Sequence, residues 1–87
     1  MGNKIEIYTG PACYYCVLAK KLLDKKKLDY VEIELNSQPN KKTEMLKRSN
    51  GKKTIPQIFI NDLHIGGFDE LNSLEISGKL NKLLSNK

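Results

Sequence analysis

No apolar run in this chain approaches the ~18 residues that a membrane-spanning helix needs, which excludes a membrane span. The start, Met1-Gly2-Asn3-Lys4, leads into alternating residues and not into the apolar core of a signal peptide, so a cytoplasmic protein is expected. Cysteine is scarce. Cys13 and Cys16 are the only two, too few for the disulfide framework of a small secreted domain, and in a reducing compartment such a pair points to redox cycling or metal ligation. Histidine is scarcer still: with His64 alone, the cysteines and histidine of one chain fall one short of the four ligands usual in a closed zinc site, which argues against one. The lysine runs Lys25-Lys26-Lys27 and Lys52-Lys53 carry no interleaved aromatics, so the formal net charge of +5 reads as solubility or attraction for a small anionic thiol, not as nucleic-acid binding. There is no internal repeat, linker or low-complexity stretch, and 87 residues leave room for one domain, residues 1–87, with one modest core.

What is present is strongly patterned. Lys4 to Tyr8 alternates, with Ile5 and Ile7 on one face and Lys4, Glu6 and Tyr8 on the other, which predicts a strand with one buried face. After Gly10-Pro11, residues Tyr15, Leu18, Ala19, Leu22 and Leu23 fall at helical spacing, predicting a helix that ends near Lys27. Tyr30 to Leu35 alternates again and predicts a second strand, completing a βαβ unit whose strands run parallel. Ser37 or Asn40 is placed to cap a second helix through Met45 and Leu46 that stops at Asn50-Gly51. Ile55 to Ile60 reads as a third strand, and Asn61-Asp62 as a tight turn into a fourth over Leu63, His64 and Ile65. Past Gly66-Gly67, a helix runs from Asp69-Glu70 to Gly78, and a last one carries Leu80, Leu83 and Leu84. The order β-α-β-α-β-β-α-α is that of an α/β thioredoxin-like fold, a four-stranded mixed sheet flanked by helices.

The chemistry concentrates at the first strand-to-helix turn. A thiol reacts as its thiolate, and Cys13 at a helix N-terminus would have its pKa lowered from the free value of ~8.5. Residues three apart on a helix stand ~5–6 Å from one another, within reach of a disulfide, so Cys13 is the expected nucleophile and Cys16 the resolving thiol. Two buried, inert thiols or a metal carrier are the alternatives. Pro56 adds a second signal: a proline opening a strand implies either a cis bond, leaving the Ile55 backbone free to pair with an extended ligand, or an edge-strand trans proline. Gly66-Gly67-Phe68-Asp69 adds a third, a corner suited to an α-amino acid head or simply a tight strand-to-helix turn.

With Cys13-Tyr14-Tyr15-Cys16, Thr54-Ile55-Pro56-Gln57-Ile58-Phe59-Ile60 and Gly66-Gly67-Phe68-Asp69-Glu70 in this order, the chain resembles a glutaredoxin of the short bacterial dithiol kind over nearly its whole length. The resemblance implies reduction of protein disulfides and of glutathione mixed disulfides, with glutathione as reductant and disulfide-containing or glutathionylated proteins as partners. Residue by residue, it implies that Cys13 is the nucleophile and Cys16 the resolving thiol. Thr54, Ile55 and Pro56 would pair with the cysteinyl part of glutathione, Gly67, Phe68 and Asp69 would hold its γ-glutamyl end, and Tyr15 would be the aromatic beside the thiols. A monomer without resident metal is expected. Two positions depart from the family. Gly10 replaces a lysine expected near the thiolate and the glycine carboxylate of glutathione, with Arg48, Lys52 and Lys53 as substitutes. Tyr14 replaces the proline after the nucleophile, a change found in some family members that hold a glutathione-ligated iron–sulfur cluster between two subunits, and this binding role is the alternative function.

Overall fold

The computed structural model describes residues 3–85; Met1-Gly2 of the start discussed above lies outside the described residues. The elements follow as β1 (Ile5–Thr9), α1 (Tyr14–Lys25), β2 (Val31–Glu34), α2 (Lys41–Arg48), β3 (Gln57–Ile60), β4 (Leu63–Gly66), α3 (Phe68–Ser77) and α4 (Lys79–Ser85). The sheet order is β2-β1-β3-β4. β1 runs parallel to β2 and antiparallel to β3, and β3 and β4 form an antiparallel hairpin, so the predicted thioredoxin-like order and mixed sheet are both found.

The sheet is covered on both faces, and this corrects the prediction of a single buried face for β1. Ile5 and Ile7 enter a core with Ala19 and Leu23 of α1, Ile58 and Ile60 of β3, Leu71 of α3 and Leu80 of α4. Tyr8, expected outside, is fully buried in a second cluster with Ile33, Met45 of α2 and Phe59. The alternation was genuine, but α2 gives the second face a partner, so apolar residues on either side of β1 and β3 lose water. β2 is an edge strand, and Val31 stays exposed.

Turn chemistry explains the connections. Asn61 and Asp62 take φ of 50° and 68°, two successive left-handed residues of the kind a two-residue hairpin turn requires. The Lys4 N–H donates to Asn61 Oδ1 at 2.8 Å, seating this turn against the start of β1. α2 ends on Asn50 and Gly51 at φ 61° and 86°, and α3 on Gly78 at φ 81°, as expected for left-handed helix ends. The expected α2 cap is not made: Asn40 stands at the cap position without a side-chain bond, and Ser37 instead donates its N–H to Glu34 Oε1 at 2.7 Å. β3 begins at Gln57, two residues later than predicted, because Ile55 and Pro56 form a separate wall of the site.

Candidate functional site

The turn after β1 delivers Cys13 to the N-cap of α1. Ala12, just before it, holds φ of 51°, a left-handed conformation that costs a non-glycine residue about 1 kcal/mol. Cys13 itself is extended (φ −108°, ψ 104°), and the Cys16 N–H donates to its Sγ at 3.2 Å. α1 carries no acid in its first turn to offset the positive end of the helix. Cys13 and Cys16 are joined as a disulfide with Cα atoms 5.2 Å apart, Cys13 half-buried and Cys16 buried. The structure thus places Cys13 at the helix end, as expected, and Cys16 one turn further in, where it is buried.

A second wall faces this turn. The Ile55–Pro56 bond is cis, and Cys13 Sγ lies 3.8 Å from the Ile55 carbonyl oxygen. Gln57, buried on β3, donates from Nε2 to Thr54 O at 3.0 Å and to Thr54 Oγ1 at 3.1 Å, and its Oε1 meets His64 Nε2 at 2.7 Å. Gln57 and His64 therefore hold the Thr54–Pro56 segment in place, a role that sequence reasoning missed. The third wall is the start of α3. Gly66 takes φ of 119°, Gly67 is the N-cap, and the Gly67 N–H donates to Glu70 Oε1 at 2.8 Å. Glu70, which the sequence marks only as part of the opening of this helix, thus closes its carboxylate back over the corner.

These walls enclose a cleft of about 430 Å³ lined by all seven expected ligand-contacting residues, Tyr15, Thr54, Ile55, Pro56, Gly67, Phe68 and Asp69, together with Lys52, Gln57 and Glu70. Tyr15 was expected on the apolar face of α1. Instead Cys16 takes the inward position, and Tyr15 is half exposed and stacked on Phe68, ring centroids 6.2 Å apart. Cys13 and Cys16 line an adjoining cavity of about 500 Å³ with Gly10, Val17 and Lys20. Ile55 joins the two spaces, since it lines the cleft and its carbonyl approaches Cys13. A larger groove of about 780 Å³ along Ile65, Leu74 and Leu83 contains neither cysteine.

The cations fall differently from expectation. Arg48 is no substitute for the absent lysine. Its Nη2 pairs with Glu6 Oε1 at 2.8 Å, its Nη1 donates to the Tyr8 hydroxyl at 2.8 Å, and its guanidinium lies 4.0 Å over the Phe59 ring. The Glu6 carboxylate raises its already high pKa and fixes it as a structural cation on the α2 side of the sheet. Lys52 does line the cleft, whereas Lys53 is an exposed residue outside it. Lys20, not singled out from the sequence, stands in the cysteine cavity and pairs with Glu32 Oε2 at 3.0 Å. The Thr9 hydroxyl, donating to the same oxygen at 2.7 Å, and then Lys20 hold the Glu32 carboxyl below the usual carboxylate range.

The glutaredoxin family model matches residues 5–65. Glutaredoxin 1 of Rickettsia conorii is 50% identical over 86 residues, covering 98% of this chain and 84% of that protein. This chain belongs to the glutaredoxin family. Among solved structures, a glutaredoxin from Brucella melitensis shares 46% identity at a TM-score of 0.78, covering 93% of this chain and 87% of that one. A buckwheat glutaredoxin–glutathione complex superposes at a TM-score of 0.84 with 31% identity, over 95% of this chain and 77% of that one. The family model stops just before the Gly66–Glu70 corner, but the glutaredoxin structures extend the likeness over nearly the whole chain. Among the described residues no helix is long and apolar enough to cross a membrane.

Proposed function

We propose that this protein is a glutathione-dependent thiol-disulfide oxidoreductase acting on protein disulfides and glutathione mixed disulfides. The observation that carries the reading is the position of Cys13 Sγ: at the N-cap of α1, joined to Cys16, and 3.8 Å from the carbonyl of Ile55, which also lines the adjoining cleft. The glutathione complex of the buckwheat relative supports a tripeptide as occupant of that cleft. A reducing, cytoplasmic compartment suits a pair that must be reduced after each cycle.

In the dithiol cycle the Cys13 thiolate attacks a substrate disulfide, forming a mixed disulfide and expelling the other sulfur as a thiolate that takes a proton from solvent. Cys16 then attacks Cys13, releasing the bound sulfur as a second thiol and leaving the Cys13–Cys16 disulfide. Two glutathione molecules give up two electrons to restore the dithiol and leave as glutathione disulfide. With a glutathionylated substrate, one glutathione attacks the Cys13 mixed disulfide directly, and Cys16 is not needed. The α1 N-terminus stabilises the attacking and leaving thiolate at Cys13. The Ile55 backbone pairs with the cysteinyl unit of glutathione. The Gly67–Asp69 corner offers the N-terminal N–H groups of α3 to the γ-glutamyl carboxylate, with acids beside them for its ammonium.

The test is a glutathione-coupled assay on a small glutathione mixed disulfide. Cys13→Ser should abolish turnover, and Cys16→Ser should retain most of it while losing reduction of an intramolecular protein disulfide. Undiminished activity of Cys13→Ser would sink the proposal.

A further inference from the structure

Cys13 meets the cleft assigned to the tripeptide only through the Ile55 carbonyl, 3.8 Å from its Sγ, and itself lines a second space. The second, the cavity of about 500 Å³, passes from Gly10 and Cys13 across Tyr14 and Val17 to Lys20, its one charged lining residue. Tyr14 and Val17 are 69% and 44% exposed, so this flank of the thiol presents apolar surface to solvent. No charge reaches it from the loop before Cys13. A Cβ at Gly10 would stand 2.6 Å from Ile55 Cδ1, so Ile55 occupies the room in which a side chain at position 10 would start.

Lys20 is held in a particular way. Its ammonium meets Glu32 Oε2 at 3.0 Å, and the same oxygen accepts the Thr9 hydroxyl at 2.7 Å. Thr9 is fully buried on β1, so Glu32 is anchored from the sheet and keeps a hydrogen bond if Lys20 turns toward another carboxylate. The pair is about one-third exposed on each side, which leaves Lys20 within reach of a visitor in the cavity. With glutathione in the cleft, the chain on either side of a target cysteine in a protein substrate must lie over the remaining surface beside Cys13.

We propose that this cavity receives the polypeptide flanking the target sulfur of a protein substrate, and that Lys20 selects substrates with Asp or Glu next to that cysteine. The inference rests on the oxidoreductase function proposed above. A single part-exposed charge pair gives a modest preference, about two- to fivefold in rate, that weakens as salt screens it.

The experiment uses the full chain and two peptides glutathionylated on a central cysteine, identical except for Glu or Gln at the flanking positions, with a small glutathione mixed disulfide as control. Each protein is scored by the ratio of its kcat/KM values on the two peptides, so a change in folded fraction cancels. The wild type should favour the Glu peptide two- to fivefold at low ionic strength and lose most of that preference in high salt. Lys20→Gln should bring the ratio to one, and Lys20→Arg should preserve it. Glu32→Gln keeps an acceptor for Thr9 while removing the competing charge, so it should raise the ratio, whereas a purely structural pair would make both Gln variants behave alike. A wild-type ratio of one, or a preference that survives Lys20→Gln, overturns the inference while the control still turns over. Failure of the wild type on the control overturns the oxidoreductase function itself.

Discussion

Gly10 is a glycine for a reason that lies 45 positions away in sequence, at Ile55, whose Cδ1 would stand 2.6 Å from a Cβ at that site. Overpacking of this kind costs ~1–3 kcal/mol where neighbours cannot move, and less where only the end of a side chain must give way. Gly10→Ala should therefore destabilise the protein by about 1 kcal/mol, and adding Ile55→Val, which deletes the offending methyl, should recover most of that loss. Urea melts of the two single variants and the double variant measure the coupling; strict additivity would mean that Ile55 moves aside without cost. Ala12 shows the opposite case, a left-handed residue that is not glycine and is held there directly before Cys13. Neither position could be read from local pattern, since one depends on a distant neighbour and the other contradicts propensity. Cys13, Cys16, Pro56 and Gly67 were legible because each has a side chain or backbone property rare enough to need a reason.

Between β1 and α2 the decisive contacts are polar. The Tyr8 hydroxyl donates to Glu44 Oε1 at 2.8 Å and accepts from Arg48 Nη1 at 2.8 Å, and Arg48 continues to Glu6 of β1. Tyr8→Phe leaves Arg48 and Glu44 each short of a partner, and a loss of ~1–2 kcal/mol is expected in chemical denaturation. The change should also alter the alkaline limb. Burial raises the Tyr8 pKa above its ordinary value despite the Arg48 hydrogen bond, so the folded state favours the neutral phenol. That contribution is whole below the unfolded value of ~10 and is lost as pH rises through the folded pKa, so the wild type should weaken at high pH more steeply than Tyr8→Phe. Every element and its order was legible in the hydrophobic period together with the cap and turn residues, yet which faces were buried was not. Alternation marks one apolar side, and Tyr8, with an apolar ring and a polar tip, was sorted by its hydroxyl. Only the packing of Met45 and Phe59 around it showed that its ring belongs inside. The same limit hid Lys20 and Gln57, ordinary residues whose meaning comes from β2, Thr54 and His64.

The match to the glutaredoxin family model ends at residue 65, before the corner that closes the cleft, so the last two helices bear on whether the site is a self-supporting unit. α3 carries Gly67 at its N-cap and presents Phe68 and Asp69 to the cleft, and it is held from behind. Leu71 and Leu80 are both fully buried with Ile5, Ile7, Ala19 and Leu23. Lys26 at the end of α1 reaches Glu75 Oε1 of α3 at 2.9 Å and Asn81 Oδ1 of α4 at 2.8 Å, tying three helices at one point. If α4 completes the core in this way, Leu80→Ala should cost ~2–4 kcal/mol in global unfolding, as buried leucine truncations do. A helix merely resting on the surface would lose well under 1 kcal/mol from the same change. Activity separates the two cases further. Leu80 does not line the cleft, so at a temperature where the variant is still folded its KM for glutathione should match the wild type, and the defect should emerge on warming in step with loss of structure. A raised KM at low temperature would instead show that α4 positions the α3 corner directly, making the last helix part of the binding site and not only of the core.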